Sequence, residues 1–277
     1  MMFASQLCFL TYAVSSVLGI YDLRHRTSQH GARPVRIIAF ALFCVGTLAG
    51  AIALQRFAVT SGGARLPVWS HGLALTLALL TLVGHYGLRM RYLTSFVAPF
   101  LALLLFGGLY LEEFRVVSGL DAGQMRQKLV AFHLAGAILG QGFALGACIV
   151  ASLYLWQRWA LKEKLLRQLA TRIPALDQME GVLIACLWAG FLCLSAALAS
   201  GWGVLRPVHA QGELFDNYFE KLVWAVSVWL WYCLALLGRI FVRLSGKKLA
   251  QMSVGGFLLL ALAFFGFFFW DQGVFGE

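Results

Sequence analysis

His133 is the residue of this sequence best placed for ligand chemistry. It lies in a stretch, Leu129 to Trp156, that holds no Asp, Glu, Lys or Arg, and an ionisable side chain inside such a segment marks a functional site by default. A neutral imidazole can offer one nitrogen lone pair to a metal. Gly136, Gly140, Gly142 and Gly146 follow it at spacings of four, two and four, giving a face of small residues that another helix can approach closely. The competing reading is a histidine at the membrane interface that hydrogen-bonds a neighbour.

The other candidates are weaker. His71 stands a few residues inside a second apolar run, and alone reads as structural. His85 is 14 residues further on, roughly 21 Å along a helix, too deep to share a site with His133. His25 and His30 fall in a basic loop and read as solvated, whereas His209 falls in a loop from which it could complete a site with His133. Glu220 and Lys221 read as an ion pair or cap at the head of a helix. The six cysteines, at 8, 44, 148, 186, 193 and 233, all lie in apolar segments without Cys-x-x-Cys spacing, and read as packing residues.

These residues must be positioned by membrane helices. Of 277 residues 61% are hydrophobic and 12% charged, against about 25% charged in a soluble domain, and the mean hydropathy is +0.80. Apolar runs near 3–21, 36–57, 68–88, 92–111, 129–157, 180–202, 221–239 and 249–270 are each long enough for a bilayer core of about 30 Å. The fold class is therefore all-α: a polytopic integral membrane protein of eight transmembrane helices, forming one transmembrane domain over residues 1–277. Pro99 is placed to kink the fourth. The 111–128 segment, with Glu112, Glu113, Arg115 and Asp121, is long enough for a surface helix. No removable signal peptide and no appended soluble domain are expected.

The net charge of +10 would suggest nucleic acid in a soluble protein, but here the basic residues sit in short loops. Fifteen of the 22 Lys and Arg lie in the first, third, fifth and seventh loops, so these loops are expected in the cytoplasm and both termini outside it. Nucleic acid is excluded as a partner and membrane lipid expected. Hydrolase and phosphoryl-transfer chemistry find no nucleophile motif, phosphate loop or paired acidic site, and no intrinsic catalytic activity is expected.

From Tyr154 onward several patches occur in a recognisable order. Tyr154-Leu155-Trp156-Gln157-Arg158 with Leu161-Lys162 is followed by Pro174-Ala175-Leu176 and Met179-Glu180, then Gly190-Phe191 and Gly201. Trp224, Trp229, Tyr232, Leu236 and Arg239 form a W-x4-W-x2-Y-x3-L-x2-R pattern, and Gly256-Phe257 with Gly266 closes the series. Over this half the chain resembles the CcsA-type cytochrome c assembly family, in its HemX-like and YpjD-like branch. Two departures stand out: the Trp-rich loop of haem-handling members reads Tyr218 to Trp224 here and keeps only Lys221 and Trp224, and the tail after the last helix has no histidine. Glu220 stands where the YpjD-like branch has His.

The resemblance implies a membrane component of cytochrome c biogenesis in the bacterial cytoplasmic (inner) membrane, handling haem b at the outer face and working with other cytochrome c assembly membrane proteins. His133 matches the family's histidine at the outer entrance of its helix. If the third and fifth helices are neighbours, His71 and His133, each roughly one turn or about 5 Å below the surface, would hold the iron from opposite sides, with Trp69 near the porphyrin edge. The alternative function is a haem-independent membrane transporter or transport accessory.

Overall fold

A computed structural model of the chain describes residues 2–24, 32–60, 66–87, 93–110, 124–163, 175–209 and 215–271. Among them are eight helices and no strand: α1 (Met2–Arg24), α2 (Ala32–Thr60), α3 (Leu66–Gly87), α4 (Leu93–Tyr110), α5 (Gln124–Lys162), α6 (Leu176–His209), α7 (Phe215–Phe241) and α8 (Gly246–Asp271). Each matches an apolar run, because in hydrocarbon the backbone must satisfy its own polar groups and a helix does so within one segment. Six are long and apolar enough to cross a membrane, over Ala4–Asp22, Pro34–Arg56, Val68–Tyr86, Leu129–Lys162, Leu176–Gly203 and Lys221–Phe241. Pro99 is held inside a continuous α4. The 111–123 segment, His25 and His30 lie outside the described residues.

The helices gather in two compact units, Met1–Gly119 and Leu120–Glu277. In the first, α1 packs on α2 and α4, and α3 packs on the same two helices. Ser5, Cys8, Tyr12, Ser15 and Asp22 are all buried; spaced by three, four, three and seven, they form one row along α1. The row is stitched to α2. The Cys8 thiol donates to the Gly46 carbonyl at 3.1 Å, and the Ser15 hydroxyl to that of Ala39 at 2.8 Å. Thr47 gives its proton to the Phe43 carbonyl at 2.9 Å, which leaves its oxygen to accept from the Tyr12 hydroxyl at 3.1 Å. Side-chain bonds of this kind hold helices together where lipid removes the hydrophobic drive for association.

In the second unit α5 packs on α6 and α8, and α7 on the same pair. Two tryptophans of α7 contribute to its contacts. The Trp229 indole stacks on Phe191, with ring centroids 5.4 Å apart, and donates to Ser195 Oγ at 2.8 Å, both on α6. Trp231 donates to the Met252 carbonyl at 2.8 Å, and its ring lies where side chains at Gly255 and Gly256 of α8 would stand. Between α7 and α8 the chain reverses through Arg243, at φ 51°, the left-handed region where non-glycine residues are uncommon. The Leu244 amide returns to the Gly238 carbonyl at 3.2 Å.

Candidate functional site

The site builds outward from α5 and α6, which pack along small residues. A Cβ on Gly136 would stand 3.2 Å from the Cys193 carbonyl oxygen and 3.3 Å from the Ala197 amide nitrogen, and one on Gly190 would stand 3.2 Å from Phe143 Cβ. The backbones can approach this closely only where the side chain is absent. Gly136 and Gly140 therefore do form a contact face, as their spacing implies, and its partner is α6.

That approach brings His133 against α6. Its Nδ1 lies 2.6 Å from the Ala197 carbonyl oxygen, and because a carbonyl can only accept, Nδ1 carries the proton. In the neutral ring the lone pair is then on Nε2. Among the described residues Nε2 has no hydrogen-bond partner. The ring lies over Gly201, whose Cβ would come 2.9 Å from both Cε1 and Nδ1, so this glycine is a cradle for the imidazole. Ser200 donates to the same Ala197 carbonyl at 2.9 Å. Phe132 and Trp202, the neighbours of His133 and Gly201 in sequence, are exposed. A histidine with one nitrogen tied to a carbonyl and the other held open has the geometry of a metal ligand fixed by its outer shell.

Among the described residues no three His, Cys, Asp or Glu side chains gather to hold an ion. The donor that His133 offers is thus a single nitrogen. It would suit a metal whose other ligands arrive with a macrocycle, to which His133 would contribute one nitrogen.

His71 belongs to α3 in the first unit, where it is buried, with Ser70 Oγ 3.4 Å from its Nδ1. His85, in the same helix, stacks on Phe40 with centroids 4.2 Å apart. His209 ends helix α6 instead of lying in a loop, and its side chain, like that of Glu220, lies outside the described residues. The six cysteines are free.

At the other end of the second unit, residues from all four helices meet. Arg239 of α7 forms an ion pair with Glu180 of α6 and also donates to the Leu244 carbonyl. Glu180 and the Tyr154 hydroxyl of α5 both lie against Gly246, the first residue of α8. Each of Tyr154, Glu180 and Arg239 is visible in the sequence as a motif position, but their convergence is not. Asp22, buried in the first unit, is a further ionisable residue that sequence reading places at the end of the first apolar run.

Residues 64–275 match the family described as Cytochrome C assembly protein. The match takes in α3 to α8, a longer stretch than the patches after Tyr154. Protein HemX of Brevibacillus brevis is 29% identical over 197 residues, which cover 68% of this chain and 67% of that protein. No solved structure matches.

Proposed function

The chain belongs to the cytochrome c assembly protein family, and from that premise we propose that it is a haem-handling membrane component of cytochrome c biogenesis. The carrying observation is the fixed tautomer of His133, with Nδ1 bound to the Ala197 carbonyl and Nε2 left open. His133 is the residue that would hold haem b, and His71, in the first unit, is a separate candidate cofactor-binding residue. Haem, when bound, would supply the iron centre. What this chain supplies is the orientation of one imidazole, a glycine that gives the ring its place, and exposed aromatic surface at Phe132 and Trp202. Intrinsic covalent catalysis is not part of the proposal, and partners are other assembly proteins of the same membrane.

Removing the chain from a host that makes c-type cytochromes tests this role. Haem-stained c-type cytochromes are expected to be lost, and to return with the parent gene but not with His133→Ala. Undiminished cytochromes would favour a haem-independent transport role instead.

The proposal includes eight spans with both termini outside the cytoplasm, in the bacterial inner membrane, because the basic loops alternate as the positive-inside rule requires. A reporter active only outside the cytoplasm is expected to be active when fused after Glu277 and silent at Leu165. The reverse pattern would overturn the orientation.

A further inference from the structure

We propose that Ser200 is a positioning residue for His133: it shares the carbonyl that holds the imidazole, and so sets how strongly Nε2 donates electrons. The effect on the imidazole stands by itself, whereas its consequence at iron rests on the role proposed above for His133. The Ala197 carbonyl lies four residues before Gly201, so the helical ladder of α6 assigns it to the Gly201 amide. His133 Nδ1 reaches the same oxygen at 2.6 Å and Ser200 Oγ reaches it at 2.9 Å. A carbonyl oxygen has two lone pairs, so these donors compete. The amide is fixed by the helix and the imidazole by its seat over Gly201. Only the hydroxyl has a choice. Ser200 Oγ also lies 2.8 Å from the Ala196 carbonyl, and its one proton serves one acceptor at a time.

A hydroxyl proton turned to Ala197 draws electron density from that oxygen and weakens the bond from Nδ1. Turned to Ala196, it leaves the oxygen to His133 and the amide. Ser200 is buried, so its proton goes to one carbonyl or the other. A ligating histidine becomes a stronger donor as the hydrogen bond from its other nitrogen strengthens, and such bonds are one lever on the potential of a haem. Ser200 therefore holds the imidazole below its full donor strength. Back-bonding by a helical serine is common, and it explains the bond to Ala196. Ser195 and Ser227 donate in that way alone, to the Phe191 carbonyl at 2.7 Å and the Val223 carbonyl at 2.8 Å. At Ser200 the second acceptor is the carbonyl on which the tautomer of His133 depends.

The test is the magnetic resonance signal of the proton on His133 Nδ1, recorded without haem on the full chain in detergent, isotope-labelled at the histidine nitrogens and assigned by its loss in His133→Ala. Ser200→Ala is expected to move this signal downfield, because a stronger hydrogen bond deshields its proton. Ser227→Ala, which loses the same kind of back-bond from a carbonyl that serves no histidine, is expected to leave it in place. With haem bound, Ser200→Ala is expected to lower the midpoint potential, since a stronger donor favours ferric iron. A signal that stays or moves upfield in Ser200→Ala, or moves equally in Ser227→Ala, would overturn the proposal, as would a potential that stays or rises. A parent chain that binds no haem, together with the downfield shift in Ser200→Ala, would overturn the haem role of His133 and uphold the shared carbonyl.

Discussion

Gly201→Ala is expected to displace the His133 ring and to remove haem binding, whereas Gly203→Ala, two residues away, leaves both intact. Both changes gain the same helix propensity, about 0.5–1 kcal/mol in an aqueous helix. They differ in what the new methyl meets. At Gly203 the nearest atom is Leu129 Cδ1 at 3.9 Å, an ordinary contact, but at Gly201 two atoms of the imidazole stand at 2.9 Å. The ring cannot yield without stretching the 2.6 Å bond from Nδ1 to the Ala197 carbonyl, which is the bond that keeps Nε2 open. Overpacking of this kind costs about 1–3 kcal/mol. Comparing the unfolding midpoints and absorption spectra of the two variants checks the expectation, and equal behaviour would contradict it.

Glu180→Ala is expected to loosen the opposite end of the same unit. Fully buried ion pairs that lose one partner cost about 3–5 kcal/mol, and exposed pairs contribute about 0.2–1 kcal/mol. Here the side chains are 34% exposed for Arg239 and 20% for Glu180, so solvent screening lowers the figure to about 1–3 kcal/mol. Among the described residues, the change leaves Arg239 with its bond to the Leu244 carbonyl alone, and it removes the side chain that lies between α6 and the start of α8. If the cost comes from stranding a charge, the double variant Glu180→Leu, Arg239→Leu should be more stable than Glu180→Ala. A midpoint for Glu180→Ala equal to that of the parent would show that the pair holds nothing.

Hydropathy makes the helices legible because a segment in lipid must be a run of apolar residues long enough to satisfy its own backbone, and six of the eight meet that length and apolarity. The spacing of Gly136 and Gly140 likewise announces a close contact. It does not say with what, since that depends on where Cys193 and Ala197 fall on a helix some sixty residues away. The tautomer of His133 was beyond reach for the same reason: its partner is a backbone carbonyl, and every residue has one. His209 illustrates a different limit. A Pro and several Gly nearby suggest a loop, yet α6 continues to that residue, with Pro207 inside its last turn. Asp22 and its row on α1 were readable in principle from a spacing of three, four and seven. Asp22 falls just past the end of the apolar run 3–21, before a basic stretch, so it reads as a loop residue although α1 carries it into the buried row.

The claim that His133 holds haem is tested most directly by a reduced-minus-oxidised absorption spectrum of the protein purified from haem-replete cells. A b-type signal is expected in the parent, abolished in His133→Ala and weakened in His71→Ala. A signal that persists unchanged in both variants, or a parent that carries no haem even after haemin is added, would contradict it.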